Sequence, residues 1–179
     1  DAFGPPCPRG RSAGLGRHWP DARGAVLGAD FTVFINEEDH LRLVVRQEGL
    51  KAALGRALDL EALLLRSLEA QGARFAVHPL LGFLTVDPRH LGAALRCSAT
   101  LLAPKLLERP LEALGEALHL RLSRGEGLLE LSTGACLGIS EVDLANELLD
   151  GCAQLLDLEE AFHRDALAAE HRWNELLRP

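Results

Sequence analysis

"FINEEDHLRL", residues 34–43, places Glu37, Glu38, Asp39 and His40 directly behind an apolar run. Like charges crowded this tightly repel, and a purely structural turn has little use for three adjacent carboxylates. Residues 31–35 alternate with β-branched side chains and read as a strand. Residues 41–46 read as a second strand, with Leu43 and Val45 on the face opposite Arg42 and Val44. The acidic cluster therefore sits on the connection between two strands. Just upstream, a short apolar run at 25–27 leads into turn chemistry at Gly28, Ala29 and Asp30.

Further along, the hydrophobic period changes. From 50 to 70 it becomes helical, with Leu50, Leu54, Ala57, Leu58, Leu64, Leu65 and Leu68 on one stripe and Gly72 as a C-terminal stop. Residues 82–86 read as a compact strand ended by Asp87 and Pro88, and residues 95–102 as another. A short helix is expected over 111–118, then a hairpin pairing 120–123 with 128–131 across "RGEG". Ser140 is a natural N-cap with Asp143 three residues on. Val142, Ala145, Leu148, Leu149, Cys152, Leu155 and Leu156 then give a helical stripe, and the helix is expected to run on toward Trp173. Residues 1–24 are rich in Gly, Pro and Arg and have little core-forming power, so 1–16 reads as an irregular arm. Strands first mixed with helices, then flanked by them, predict an α+β domain: an antiparallel sheet with helices packed on it.

The totals narrow the function. A chain of 179 residues with 47% hydrophobic composition is one domain with a real core. Its net charge of −7 disfavours non-specific nucleic-acid binding. The absence of any long apolar run predicts no membrane span. Cys7, Cys97, Cys136 and Cys152 show no metal-type spacing and fit a reducing, cytoplasmic setting better than a disulfide framework. His18, His40, His78 and His90 are scattered and predict no metal site. The chain starts at Asp1 and contains no Met, which reads as a processed or trimmed product.

Three readings of the acidic turn stay open on the residues alone: a general base, a magnesium-holding cluster, or a solvated turn. Three arginines bear on the choice. Arg42 lies four residues past Glu38, Arg96 opens an apolar strand, and Arg124 precedes "GEG". Guanidinium groups fork onto phosphate oxygens. A carboxylate beside several of them suits phosphoryl transfer, where positioning and charge neutralisation do most of the catalysis.

"WPDARG" (19–24), "NEEDHLR" (36–42), Leu81 and Gly82 followed by Pro88, "LGAALR" (91–96), "RGEG" (124–127) and "LGISEV" (137–142) fall in one order. That order resembles the phosphagen kinases, the creatine and arginine kinases, and most of all the vertebrate creatine kinases. The resemblance runs from about residue 17 to 165 and implies the glutamine-synthetase-like catalytic domain of that family over 17–179. It implies ATP:guanidino phosphotransferase ancestry with Mg-ATP or Mg-ADP as ligand. Glu38 would be the base orienting the guanidinium nucleophile, with Glu37 and Asp39 in the same acidic, magnesium-linked site. Arg42, Arg96 and Arg124 would clamp nucleotide phosphates. A homodimer or another protein assembly fits the family.

The departures shape the expected activity. Phe34 stands where creatine kinases carry Trp, Asp87 where the family has its reactive Cys, and Arg89 where it has a polar residue. "GAALRCS" (92–98) replaces a glycine-rich run, Thr100 an adenine-packing His, and Cys136 an Arg. The closing loop after "RGEG" is shortened by several residues. "FGPPCPRG" (3–10) resembles a Pro-rich stretch that lies earlier in the catalytic domain, so a long intervening segment is expected to be missing before residue 17. The strand bearing two further arginines and the helical N-terminal domain are not found in the sequence. Each lost electrostatic stabiliser raises a barrier by about 2.7–4 kcal/mol. The expectation is a catalytically impaired domain acting as a structural or binding unit. The competing expectations are an active kinase on creatine or another guanidino substrate, and a nucleotide sensor.

Overall fold

The computed structural model describes residue 18 and residues 21–178. The expected arm at 1–16, Cys7 and Trp19 lie outside the described residues. The chain divides into two compact units, Asp1–Pro88 and Arg89–Pro179, each taken by itself.

The first unit is built on an antiparallel sheet of three strands in the order β1 (Gly24–Leu27), β2 (Phe31–Ile35), β3 (Leu41–Val45). A tight turn joins β1 to β2: the Gly28 amide donates to the Phe31 carbonyl at 2.9 Å. The Phe31 ring folds so closely over Gly28 that a Cβ there would meet it at 2.2 Å, so only glycine fits. Helix α1 (Leu50–Glu69) follows and packs on β3. Arg56 of α1 donates to Asp30 at 2.7 Å and stacks over Phe31 with 5.6 Å between guanidinium carbon and ring centroid. That hydrogen bond holds Asp30 below the usual carboxylate range and raises Arg56 in turn.

The inward face of α1 differs from the expected stripe. Leu60, left out of that stripe, is the buried residue of the helix, whereas Leu58 is exposed. Leu60 sits three residues past Ala57 and four before Leu64, which is the spacing that keeps one face. The expected strand over 82–86 shrinks to β5 (Gly82–Phe83), paired with β4 (Val77–His78). The Leu84 amide still donates to the Ala76 carbonyl at 2.9 Å, but the amides of Val86 and Asp87 turn to the Asp39 side chain in the β2–β3 turn.

The second unit has a sheet in the order β6 (Ser98–Leu101), β8 (Leu129–Thr133), β7 (Leu120–Arg124), antiparallel throughout. The expected strand over 95–102 is shorter at its start, because Gly92 and Ala94 take positive φ and curl the approach. Helices α2 (Pro104–Leu107) and α3 (Leu111–Ala117) fill the crossover between β6 and β7. Helix α4 (Glu141–Arg164) starts at Ser140, whose hydroxyl accepts from the Asp143 amide at 3.1 Å, as expected for an N-cap. The single expected helix breaks at Asp165. This residue ends α4 and caps α5 (Ala166–Leu176), accepting from the amides of Leu167 and Ala168.

Leu106, Leu111, Leu114, Leu129, Leu131, Leu144, Leu148, Leu155 and Leu158 form the buried core of this unit. Gly151 lets α4 cross close to Leu120, since a Cβ there would meet its Cδ1 at 2.3 Å. Helix α2 lacks a side-chain cap of its own. The buried carboxylate of Glu159, from α4, accepts from the Lys105 and Leu106 amides at 3.0 and 2.9 Å instead. Arg109 stacks on Phe162 and Trp173 and bonds Glu170 at 2.5 Å, which ties α5 to α4. Among the described residues no helix is long and apolar enough to cross a membrane.

Candidate active site

In the first unit the acidic turn is an ordered loop. Asn36 takes positive φ, which asparagine tolerates better than most residues, and its amide donates to the His40 carbonyl at 3.0 Å. Its side chain donates to the Ala22 carbonyl at 3.0 Å and meets His40 Nδ1 at 3.2 Å. The loop is thereby pinned to the residues ahead of β1.

Arg42 sits opposite Phe34 in the β2–β3 register and lies over its ring at 4.6 Å. From there its guanidinium reaches both glutamates: Nη2 is 2.9 Å from Glu37 Oε2, and Nη1 is 3.8 Å from Glu38 Oε2. The contact to Glu37 has ion-pair distance without hydrogen-bond alignment, for Glu37 Oε2 and Arg42 Nε are both buried without a hydrogen-bond partner. Thus Glu37, Glu38 and Arg42 are brought together, as a partly satisfied charge cluster.

Asp39 points differently. Its Oδ1 accepts from the amides of Val86 at 2.5 Å and Asp87 at 3.3 Å, while Thr85 Oγ1 donates to the Asp87 carbonyl at 2.8 Å. This clasp takes the amides of residues 86 and 87 and fixes Asp87 beside the acidic turn. Among the described residues no group of three or more His, Cys, Asp or Glu side chains converges to hold a metal ion.

Arg96 and Arg124 belong to the second unit. Arg96 Nη2 donates to Ser132 Oγ at 3.0 Å. Arg124, the last residue of β7, donates to the carbonyls of Leu107 and Arg109 at 3.1 and 2.6 Å, closing the C-terminal end of α2. The two are not neighbours. Arg96 meets β8 at Ser132 and Arg124 faces Leu129, three positions and about 10 Å along the strand. Cys136, at the position where the resemblance has an arginine, is buried and bonds the Leu95 carbonyl at 3.0 Å; burial pushes its thiol up.

Sequence reasoning missed the clasp from Asp39 to residues 86 and 87, because nothing local marks a partner so distant in the chain. It also missed Arg121, exposed on β7 directly opposite Ser132. The polar positions of "LRLSR" (120–124) carry that signal, but only the register turns it into geometry.

The family model for the ATP:guanido phosphotransferase C-terminal catalytic domain matches residues 11–162. The chain belongs to the ATP:guanido phosphotransferase family. It is 32% identical to the creatine kinase B-type of Gallus gallus over 86% of its own length and 44% of the relative's. It is 31% identical to a probable arginine kinase of Caenorhabditis elegans over 84% of its length and 44% of that protein's. Identity therefore does not separate the creatine from the arginine kinases. Among solved structures, lombricine kinase superposes with a TM-score of 0.81 at 30% identity, covering 90% of this chain and 48% of that one. The duplicated taurocyamine kinase of Schistosoma mansoni gives 0.78 at 32% identity, over 90% of this chain and 23% of that one. The chain spans under half the length of the curated phosphagen kinases it matches.

Proposed function

We propose that this phosphagen-kinase domain is catalytically impaired and acts as a structural or binding unit, alone or with a second copy. One observation carries the reading: the guanidinium of Arg42 lies against Glu37 and Glu38. These are the carboxylates the resemblance assigns to the guanidino nucleophile and its acidic site. On this reading a cation of the chain itself competes with a substrate guanidinium for these carboxylates.

Substitutions inside the matched region support the same conclusion. Asp87 supplies a carboxylate where the resemblance has a reactive thiol. Cys136 brings a neutral buried thiol where it has a cation, and Arg124 is engaged with two main-chain carbonyls. Each missing stabiliser of transition-state charge costs about 2.7–4 kcal/mol, two to three orders of magnitude in rate. For Mg-ATP or Mg-ADP the fit is partial, with Arg96 the best-placed clamp. The free thiols of Cys97, Cys136 and Cys152 suit a reducing, cytoplasmic setting.

The deciding experiment is a coupled assay with MgATP and creatine, arginine, lombricine or taurocyamine, run in both directions. Turnover indistinguishable from background is expected, and a kcat above about 1 s⁻¹ overturns the proposal. A second reading, an active guanidino kinase, draws on the unsatisfied Arg42 Nε and the loose 3.8 Å contact to Glu38, an arrangement open to rearrangement by substrate. The same assay decides between the two.

A further inference from the structure

Helix α4 buries one face and leaves an apolar line on another. Leu144, Leu148, Leu155 and Leu158 are buried in the core of the second unit. Val142, Leu149 and Leu156 are not: they are 68%, 51% and 46% exposed. They stand seven residues apart, almost two full turns, so they fall in one line along the helix, about 10 Å from each to the next. Exposed apolar side chains are ordinary when scattered; an aligned set on one helix is a seam without a partner.

The flank of this seam is acidic. Asp143, Asp150 and Asp157, all exposed, each follow a seam residue by one position. They therefore repeat at the same interval, about 100° round the helix. Residues 141–162 hold seven carboxylates and neither Lys nor Arg. Among the described residues, arginines meet this face at its C-terminal end: Arg172 of α5 stands 3.5 Å from Asp157, and Arg164 pairs with Glu160. Asp143 is engaged by the Ser140 hydroxyl at 2.6 Å. Asp150, beside the middle of the seam, makes no hydrogen bond or ion pair among the described residues. The N-terminal two thirds of the face thus combines apolar surface with uncompensated negative charge.

We propose that this face of α4 is a docking surface for a cationic amphipathic helix of a partner protein. The partner's apolar seam lies on Val142, Leu149 and Leu156, and its Lys or Arg side chains run along Asp143 and Asp150. The proposal goes beyond the functional reading above, because a helix docked here is compatible with either rate of phosphoryl transfer. Two features of the face select this occupant. A heptad-patterned helix repeats its apolar residues at the same seven-residue interval and stays in step with the seam. Carboxylates along one flank favour a basic ligand and repel an acidic one. A second copy fits less well: in an antiparallel twofold pairing each acidic row meets its own image, and the net charge of −7 works against self-association at this face. An anionic lipid surface is repelled by the same row.

The test is fluorescence anisotropy of a labelled synthetic peptide of three heptads, Leu on its seam and Lys on its flanks, titrated with the full chain at low and moderate salt. A scrambled peptide of the same composition is run beside it. The unchanged chain is compared with Leu149→Gln, Asp150→Lys, and Leu63→Gln as an exposed-leucine control on α1. Binding should weaken about tenfold in Leu149→Gln, through lost apolar burial. It should weaken about two- to fivefold in Asp150→Lys, with a shallower salt dependence. Leu63→Gln should match the unchanged chain, and the scrambled peptide should not bind below millimolar concentration. No binding of the patterned peptide up to millimolar concentration, equal binding of the scrambled one, or an equal loss in Leu63→Gln overturns the proposal. Undiminished binding by Leu149→Gln or by Asp150→Lys does so too. Sedimentation showing a dimer that Leu149→Gln dissolves gives the face to a second copy. Co-sedimentation with phosphatidylcholine–phosphatidylserine vesicles, lost in the same variant, gives it to a lipid surface; either result overturns the proposal. Kinase turnover, measured in parallel, bears on the functional reading alone.

Discussion

Asp39 shows how one residue can be legible in its chemistry and illegible in its use. The sequence marks it as acidic and placed in a turn, and the resemblance adds it to a magnesium-linked set. In the structure one of its oxygens receives two main-chain amides from residues 86 and 87. Asp39→Ala should lower stability by about 1–2 kcal/mol, since hydrogen bonds to a charged acceptor are lost and two donors are left to water. Urea denaturation measures it, and Asp39→Asn should recover part of the loss. Arg124 makes the same point. Its type and position were readable, but the carbonyls of Leu107 and Arg109 that hold it come from a crossover no local pattern predicts. The ion pair of Asp30 with Arg56 was equally hidden, being 26 positions apart. Because Arg56 holds the folded-state pKa of Asp30 below the usual carboxylate range, its stabilisation is present above that range. It is lost as pH falls through the lower, folded value. Asp30→Asn should flatten that part of the acid-denaturation curve, followed by circular dichroism.

Among the elements, the helices divide into those specified by their own sequence and those that need help. Helix α4 announces itself through Ser140 and Asp143, and its start falls where the capping pattern puts it. The break at Asp165 was not anticipated, because apolar spacing continues past it and neither Gly nor Pro stands next to it. Aspartate there ends one helix and caps the next, a double use that hydrophobic periodicity cannot reveal. Asp165→Ala should cost about 1 kcal/mol and shift the thermal midpoint down by a few degrees. Helix α2 depends on another element outright: without Glu159 the Lys105 and Leu106 amides lose their acceptor. Glu159→Leu should destabilise by about 1–3 kcal/mol, read from the urea midpoint, because the buried Leu106 amide is left unpaired. The hairpin of β7 and β8 was readable from alternation around "RGEG"; only its ends moved, by a residue or two. Residues 82–86 read as a longer strand than they form because strand propensity says nothing about a competing acceptor such as Asp39.

On the scale of the whole molecule, the two units differ in how much apolar surface each encloses. Among the described residues of the first, Val33 and Leu60 are the buried hydrophobics, whereas the second buries a connected set of leucines with Trp173 and Phe162. Local stability follows buried apolar contact, so amide hydrogen exchange should be faster in β1, β2 and β3 than in β7, β8 and the middle of α4. Equal protection in the two sets would contradict this difference in cores. The order of strand-like and helical periods foretold an α+β domain, but not a division of the strands into separate sheets, since pairing between distant segments leaves no periodic trace.

The grip of Asp39 on the amides of 86 and 87 has a consequence for what evolution and engineering can do at position 87. Because the peptide groups of 86 and 87 are held by Asp39, the location of that α-carbon is set in large part by the main chain. Chemistry at 87 is consequently interchangeable: a cysteine grafted there inherits an address already written into the main chain. Its reactivity toward a thiol reagent would then report the surroundings of the acidic turn directly.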